Sequence, residues 1–141
     1  MSSPILIVED SVDDATKLRR ELNRAGLCNP CYVVNNGTEA LRYLTGQGHY
    51  ADRNEYPMPR VILLDLKMPE LDGFELLRRL KTMPALGDAL IIAVSGLDDL
   101  ESIRRAYGLG ARSFLAKPCQ AVDVKNLIQG FPNYWSRTAG S

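Results

Sequence analysis

Glu9-Asp10, Asp65, Ser95 and Lys117-Pro118 each stand where a short apolar run ends. The runs are Ile5-Leu6-Ile7-Val8, Val61-Ile62-Leu63-Leu64, Leu90-Ile91-Ile92-Ala93-Val94 and Ser113-Phe114-Leu115-Ala116. Apolar runs of this length, bounded by turn residues, read as strands of a parallel sheet covered on both faces. Open α/β sheets take their ligands at the carboxyl ends of such strands. Three carboxylates, a hydroxyl and an ammonium therefore converge on one sheet edge. Two unit charges about 4 Å apart repel by roughly 4 kcal/mol at an effective dielectric near 20. Glu9, Asp10 and Asp65 thus need a cation beside them, or their pKa values rise. A hard divalent cation with all-oxygen ligands fits, and Mg²⁺ is the usual one beside phosphate. Lys117 and Ser95 complete a cradle for a tetrahedral dianion. Positioning and charge neutralisation are what phosphoryl transfer chiefly asks of a protein.

The elements that must hold these groups alternate along the chain. After the first strand, Val12, Ala15, Leu18, Leu22 and Ala25 recur at helical spacing, with Asp10 or Ser11 as N-cap and Gly26 as C-cap. Tyr32-Val33-Val34 is a short second strand, and Asn36-Gly37 opens a helix carrying Ala40, Leu41 and Leu44. Asp72-Gly73 caps a third helix with Phe74, Leu77 and Leu80 on one side. Asp98-Asp99 starts a fourth, which suits the helix macrodipole. The last helix carries Val124, Leu127 and Ile128. The expectation is a (βα)5 doubly wound five-stranded parallel sheet in the order 2-1-3-4-5, with right-handed crossovers. That order brings Asp10 beside Asp65 at the switch point. Residues 46–60 read as one long polar connection broken by Gly46, Gly48, Pro57 and Pro59.

Bulk properties narrow the class. A chain of 141 residues with 45% hydrophobic and 24% charged content suits one globular domain. A formal net charge of zero gives no reason to expect nucleic acid or an anionic membrane as partner. The apolar runs are strand-length and no leader precedes the first strand, so a cytoplasmic location is expected. Cys28-Asn29-Pro30-Cys31 has redox spacing, but the pair follows a helix stop and not a helix N-terminus, and His49 is the sole histidine. These read as incidental loop cysteines.

At this point the chain resembles the receiver domains of two-component response regulators, the CheY-like fold. The matching motifs are Glu9-Asp10, Asp65 with Met68-Pro69 and Asp72-Gly73, Ser95, and Lys117-Pro118, in order over nearly the whole chain. The resemblance implies that Asp65 takes a phosphoryl group from a phosphohistidine on a sensor histidine kinase. It implies that Asp10 and Asp65 bind Mg²⁺ directly, Glu9 through water, and Lys67 through its backbone carbonyl. Ser95 and Lys117 then bind phosphoryl oxygens, Phe114 is the switching aromatic, and the bond before Pro118 is cis. Residues 1–131 form the receiver and 132–141 a short aromatic tail without an output domain, so the protein signals by changed protein binding and is not an enzyme acting on other substrates. Its face of helix four, strand five and helix five is expected to meet a downstream target or a second copy, with Tyr107, Leu109 and Tyr134 as anchors. Tyr134 and Trp135 pack on the body or on that copy. The long 46–60 connection and the Tyr134-Trp135 tail are similar to the single-domain regulators paired with phytochrome and bacteriophytochrome kinases.

Two positions depart from the family pattern. Lys67, two after the acceptor, either competes with Mg²⁺ for the carboxylates or points to solvent. Leu97, two after Ser95, is apolar and is expected to hinder the water that hydrolyses an acyl phosphate. Rival readings fit less well. A pseudo-receiver would lack one of the key groups, a flavodoxin-type electron carrier would need phosphate-binding residues after strand one, and a haloacid-type phosphatase would need Asp-x-Asp where Asp65-Leu66-Lys67 stands.

Overall fold

The computed structural model describes residues 3–68, 72–96 and 100–135. Five strands, β1 (Ile5–Val8), β2 (Cys31–Val34), β3 (Val61–Asp65), β4 (Leu90–Ser95) and β5 (Ser113–Ala116), alternate with five helices. These are α1 (Val12–Arg24), α2 (Gly37–Thr45), α3 (Gly73–Leu80), α4 (Leu100–Gly108) and α5 (Ala121–Gly130). The sheet runs β2-β1-β3-β4-β5 and every pairing is parallel. The expected order and the expected adjacency of β1 and β3 are both present, with Val8 opposite Leu64.

Alternation along the strands splits the core in two. Leu6, Val8, Ile62 and Leu64 face α2 and α3, where they meet Tyr43, Leu44, Phe74 and Leu77. Ile5, Ile7, Leu63 and Ile92 face α1 and α5, where they meet Leu18, Leu22, Val124 and Leu127. With helices on both faces, β1 and β3 are buried along their whole length, which is why their sequences are continuous apolar runs. Val12 does not join this core. It is 80% exposed, because the first turn of α1 stands beyond the sheet edge and the buried stripe starts at Ala15. Arg105 lies 4.1 Å over the Phe74 ring and links α4 to α3.

Helix starts follow cap chemistry. Ser11, Asn36 and Asp72 accept from the backbone N–H groups of Asp14, Glu39 and Glu75 at 3.2, 2.7 and 2.9 Å. Ser11 and not Asp10 caps α1, which leaves the Asp10 carboxylate to the sheet edge. The acidic start expected at Asp98-Asp99 lies outside the described residues, as do Pro69 and Leu97.

The 46–60 connection is more than a polar link. It carries a 3-10 turn, Gly48–Ala51, and buries Tyr50. Tyr43, His49, Tyr50 and Tyr56 pack ring against ring, with centroids 4.0 to 5.9 Å apart. Arg53 closes the connection by donating to the carbonyls of Tyr43 (2.7 Å), Leu44 (2.9 Å) and Tyr56 (3.2 Å). The first two are end carbonyls of α2, where a guanidinium also meets the negative end of the helix.

The tail folds back on the body. Phe131, Tyr134 and Trp135 pack against the core on the α1/α5 face. The Tyr134 hydroxyl donates to the Asp88 carbonyl at 2.7 Å, and Arg60 lies 4.9 Å over its ring. The buried Asn29 amide donates both to the Ser3 carbonyl (2.6 Å) and to the Tyr134 carbonyl (3.1 Å). Ser3, Asn29, Arg60 and Asp88 each precede a strand, so the clasp lies at the amino edge of the sheet, opposite the acidic edge.

Candidate functional site: an acidic edge closed by a lysine

The strand ends bring Glu9, Asp10, Asp65, Ser95 and Lys117 together. β1 delivers Glu9, which is buried, and Asp10, which is exposed. β3 ends in Asp65, whose Oδ1 accepts from the Lys67 backbone N–H at 3.0 Å. β4 ends in the buried Ser95. The Lys117 backbone N–H donates to the Ser95 carbonyl at 2.9 Å, so the ends of β4 and β5 are tied, and the Lys117–Pro118 bond is cis. Carboxylate oxygens of Glu9, Asp10 and Asp65 lie within 4.8 Å of one another. Together with Asp14, Lys67, Ser95, Gly96 and Lys117 they line a cavity of about 350 Å³.

Gly73 explains how α3 approaches this edge so closely. A Cβ at this position would lie 2.4 Å from the Asp65 carbonyl oxygen and 2.4 Å from the Leu66 Cα. The glycine lets the start of α3 back directly onto the Asp65–Leu66 peptide, where the Gly73 N–H donates to the Leu66 carbonyl at 3.1 Å.

Lys117 Nζ lies 2.7 Å from Glu9 Oε2, 3.0 Å from Asp14 Oδ2 and 3.1 Å from Asp65 Oδ2. Burial alone would lower its pKa; hydrogen bonds to Glu9, Asp14 and Asp65 outweigh that and hold the ammonium above its ordinary value. Burial pushes the Glu9 carboxyl up to about 7, against the lowering effects of the Lys117 and Ser11 hydrogen bonds. One ammonium thus does not balance the acidic edge. The excess negative charge and the all-oxygen donor set fit a hard divalent cation held by Glu9, Asp10 and Asp65.

Asp14 is the site residue that the sequence reading missed. It looks like an ordinary acid in the first turn of α1, and its one signal is its spacing of one helical turn from Asp10. Lys67 is exposed, consistent with the solvent-facing alternative. Phe114 is half-buried and packs against the α2/α3 core. Tyr107 is 46% exposed, whereas Tyr134 is engaged by its own chain. Cys28, Cys31 and Cys119 are free thiols.

Residues 5–129 match the response regulator receiver domain family. The chain belongs to that family of signalling proteins. It is 28% identical to the response regulator Rcp1 of Synechocystis over 95% of this chain and 89% of the relative. The Mn²⁺-bound form of Rcp1 superposes with a TM-score of 0.73 at 27% identity, covering 94% of this chain and 93% of that one. A response regulator in red light signalling of R. palustris superposes with a TM-score of 0.83 at 30% identity, covering 97% and 99% of the two chains. The bacteriophytochrome response regulator AtBRR gives 0.82 at 32% identity, covering 99% of each chain. Among the described residues no helix is long and apolar enough to cross a membrane.

Proposed function

We propose that this receiver accepts a phosphoryl group on Asp65 from a phosphohistidine of a sensor kinase. The observation that carries this reading is the meeting of Asp65 with Glu9, Asp10 and the Lys117 ammonium at one cavity. Asp65 Oδ attacks phosphorus, and the new O–P bond forms as the P–N bond to imidazole breaks. The imidazole nitrogen leaves with the electron pair and takes a proton from solvent. Lys117 turns one N–H from a carboxylate to a phosphoryl oxygen, and the Ser95 hydroxyl binds another. Asp10, Asp65 and the Lys67 carbonyl, with Glu9 through water, would hold a Mg²⁺ ion, whose positive charge would let the dianion approach a carboxylate.

The output is a change in protein binding. As Ser95 moves toward the phosphoryl group, Phe114 turns inward and alters the surface of α4, β5 and α5. Phosphorylation shifts the two states only by what it binds differently in each. A phytochrome-type kinase is the partner class favoured by the relatives' red-light and bacteriophytochrome settings.

The test is incubation with acetyl phosphate and Mg²⁺ followed by intact-mass measurement. An adduct should form on the wild type and be absent from Asp65→Ala. No adduct, or one that survives that substitution, overturns the reading.

A further inference from the structure

Lys117 has three ammonium N–H donors, and three carboxylates stand within 3.1 Å to receive them. To hold a phosphoryl oxygen on Asp65 it must release one. Glu9 and Asp65 share their charge with the acidic cluster that suits a cation, and Asp14 stands outside that cluster. Asp14 therefore keeps its full charge for the lysine when the cluster is neutralised. Asp14 and Lys117, with Glu9, line both the acceptor cavity and a cleft of about 460 Å³ between α1 and the β5–α5 turn, whereas Asp65 lines the first alone. The Asp14 backbone is fixed separately, by its N–H to Ser11 Oγ at 3.2 Å, so the α1 cap does not depend on its carboxylate.

We propose that Asp14 is a positioning residue that competes with the phosphoryl group for Lys117 and so sets how tightly the acceptor holds phosphate. This rests on Asp65 being the acceptor. The contact is a half-exposed ion pair, with side-chain exposures of 23% and 39%, which bounds its effect at a few-fold.

Asp14→Asn is compared with Asp13→Asn by calorimetric titration with beryllofluoride in Mg²⁺, each variant's melting curve being recorded alongside. Both variants change net charge equally in the same helical turn, but Asp13 is exposed and its carboxylate is not among the partners of Lys117. Asp14→Asn should bind roughly two- to fivefold more tightly, the worth of one such pair, with Asp13→Asn at the wild-type value. Unchanged or weaker binding by Asp14→Asn overturns the proposal, as does an equal gain in both variants, which would be a general field effect. Wild-type protein that binds no beryllofluoride overturns the acceptor reading itself, and the role of Asp14 with it.

Discussion

In the absence of divalent cation, the Glu9 carboxylate makes the fold less stable as pH rises. Its pKa goes from 4.5 in the unfolded chain to about 7 in the folded one. Between those values the folded chain holds a proton that the unfolded chain has already released, so stability falls with increasing pH across that window. The favourable contribution is complete below pH 4.5 and is lost as pH climbs through about 7. At about 1.4 kcal/mol per pH unit the rise amounts to about 3 kcal/mol, a net figure in which the favourable Lys117 contact is already included. Glu9→Gln removes the ionisation and keeps an acceptor oxygen for Lys117. Urea unfolding in EDTA at pH 5, 6, 7 and 8 should give nearly equal midpoints for the two proteins at the acid end, with the variant ahead by a margin that grows toward pH 8. Excess Mg²⁺ should restore the wild type at pH 8 and do much less for the variant. Parallel pH profiles, or a variant weaker than wild type at pH 8, would refute the assignment of the excess charge to Glu9.

Gly73→Ala puts a methyl group 2.4 Å from the Asp65 backbone, so it should cost about 1–3 kcal/mol in unfolding free energy and slow phosphorylation by acetyl phosphate. A full-rate, fully stable variant would show that α3 does not set the position of Asp65. Arg53→Met deletes three donors to the carbonyls of Tyr43, Leu44 and Tyr56 and should destabilise by about 2 kcal/mol. Its adduct rate at Asp65 should stay at the wild-type value, because the end of α2 lies at the opposite edge of the sheet.

What could be learned from the sequence was whatever local patterning dictates. The strand β3 is apolar at every position but its last, so both its burial and the exceptional status of Asp65 are visible before folding. The edge shared by Glu9, Asp65, Ser95 and Lys117 follows once parallel strands are accepted, since each group is the first polar residue past its run. Asp14 was not visible, because its partner lies 103 residues away and the contact exists only where α1 meets the β5–α5 turn. The aromatic packing of the 46–60 connection was hidden by polar neighbours. Its Tyr50 and Tyr56 signal a buried cluster only when Tyr43 is known to face them. Val12 fits the helical period and is nevertheless exposed, because periodicity says which side of a helix is apolar and not where the sheet beneath it stops.

The Asn29 amide holds Ser3 with one contact and Tyr134 with another. Ser3 and Tyr134 therefore lie side by side, across the sheet's full depth from the acidic cavity. A fluorescent reporter or a tether attached beside Ser3 or Tyr134 would start from that far rim, leaving the approach to Asp65 clear. Two such reporters on one molecule would begin as close neighbours, a built-in reference pair for sensing an output on the remaining faces.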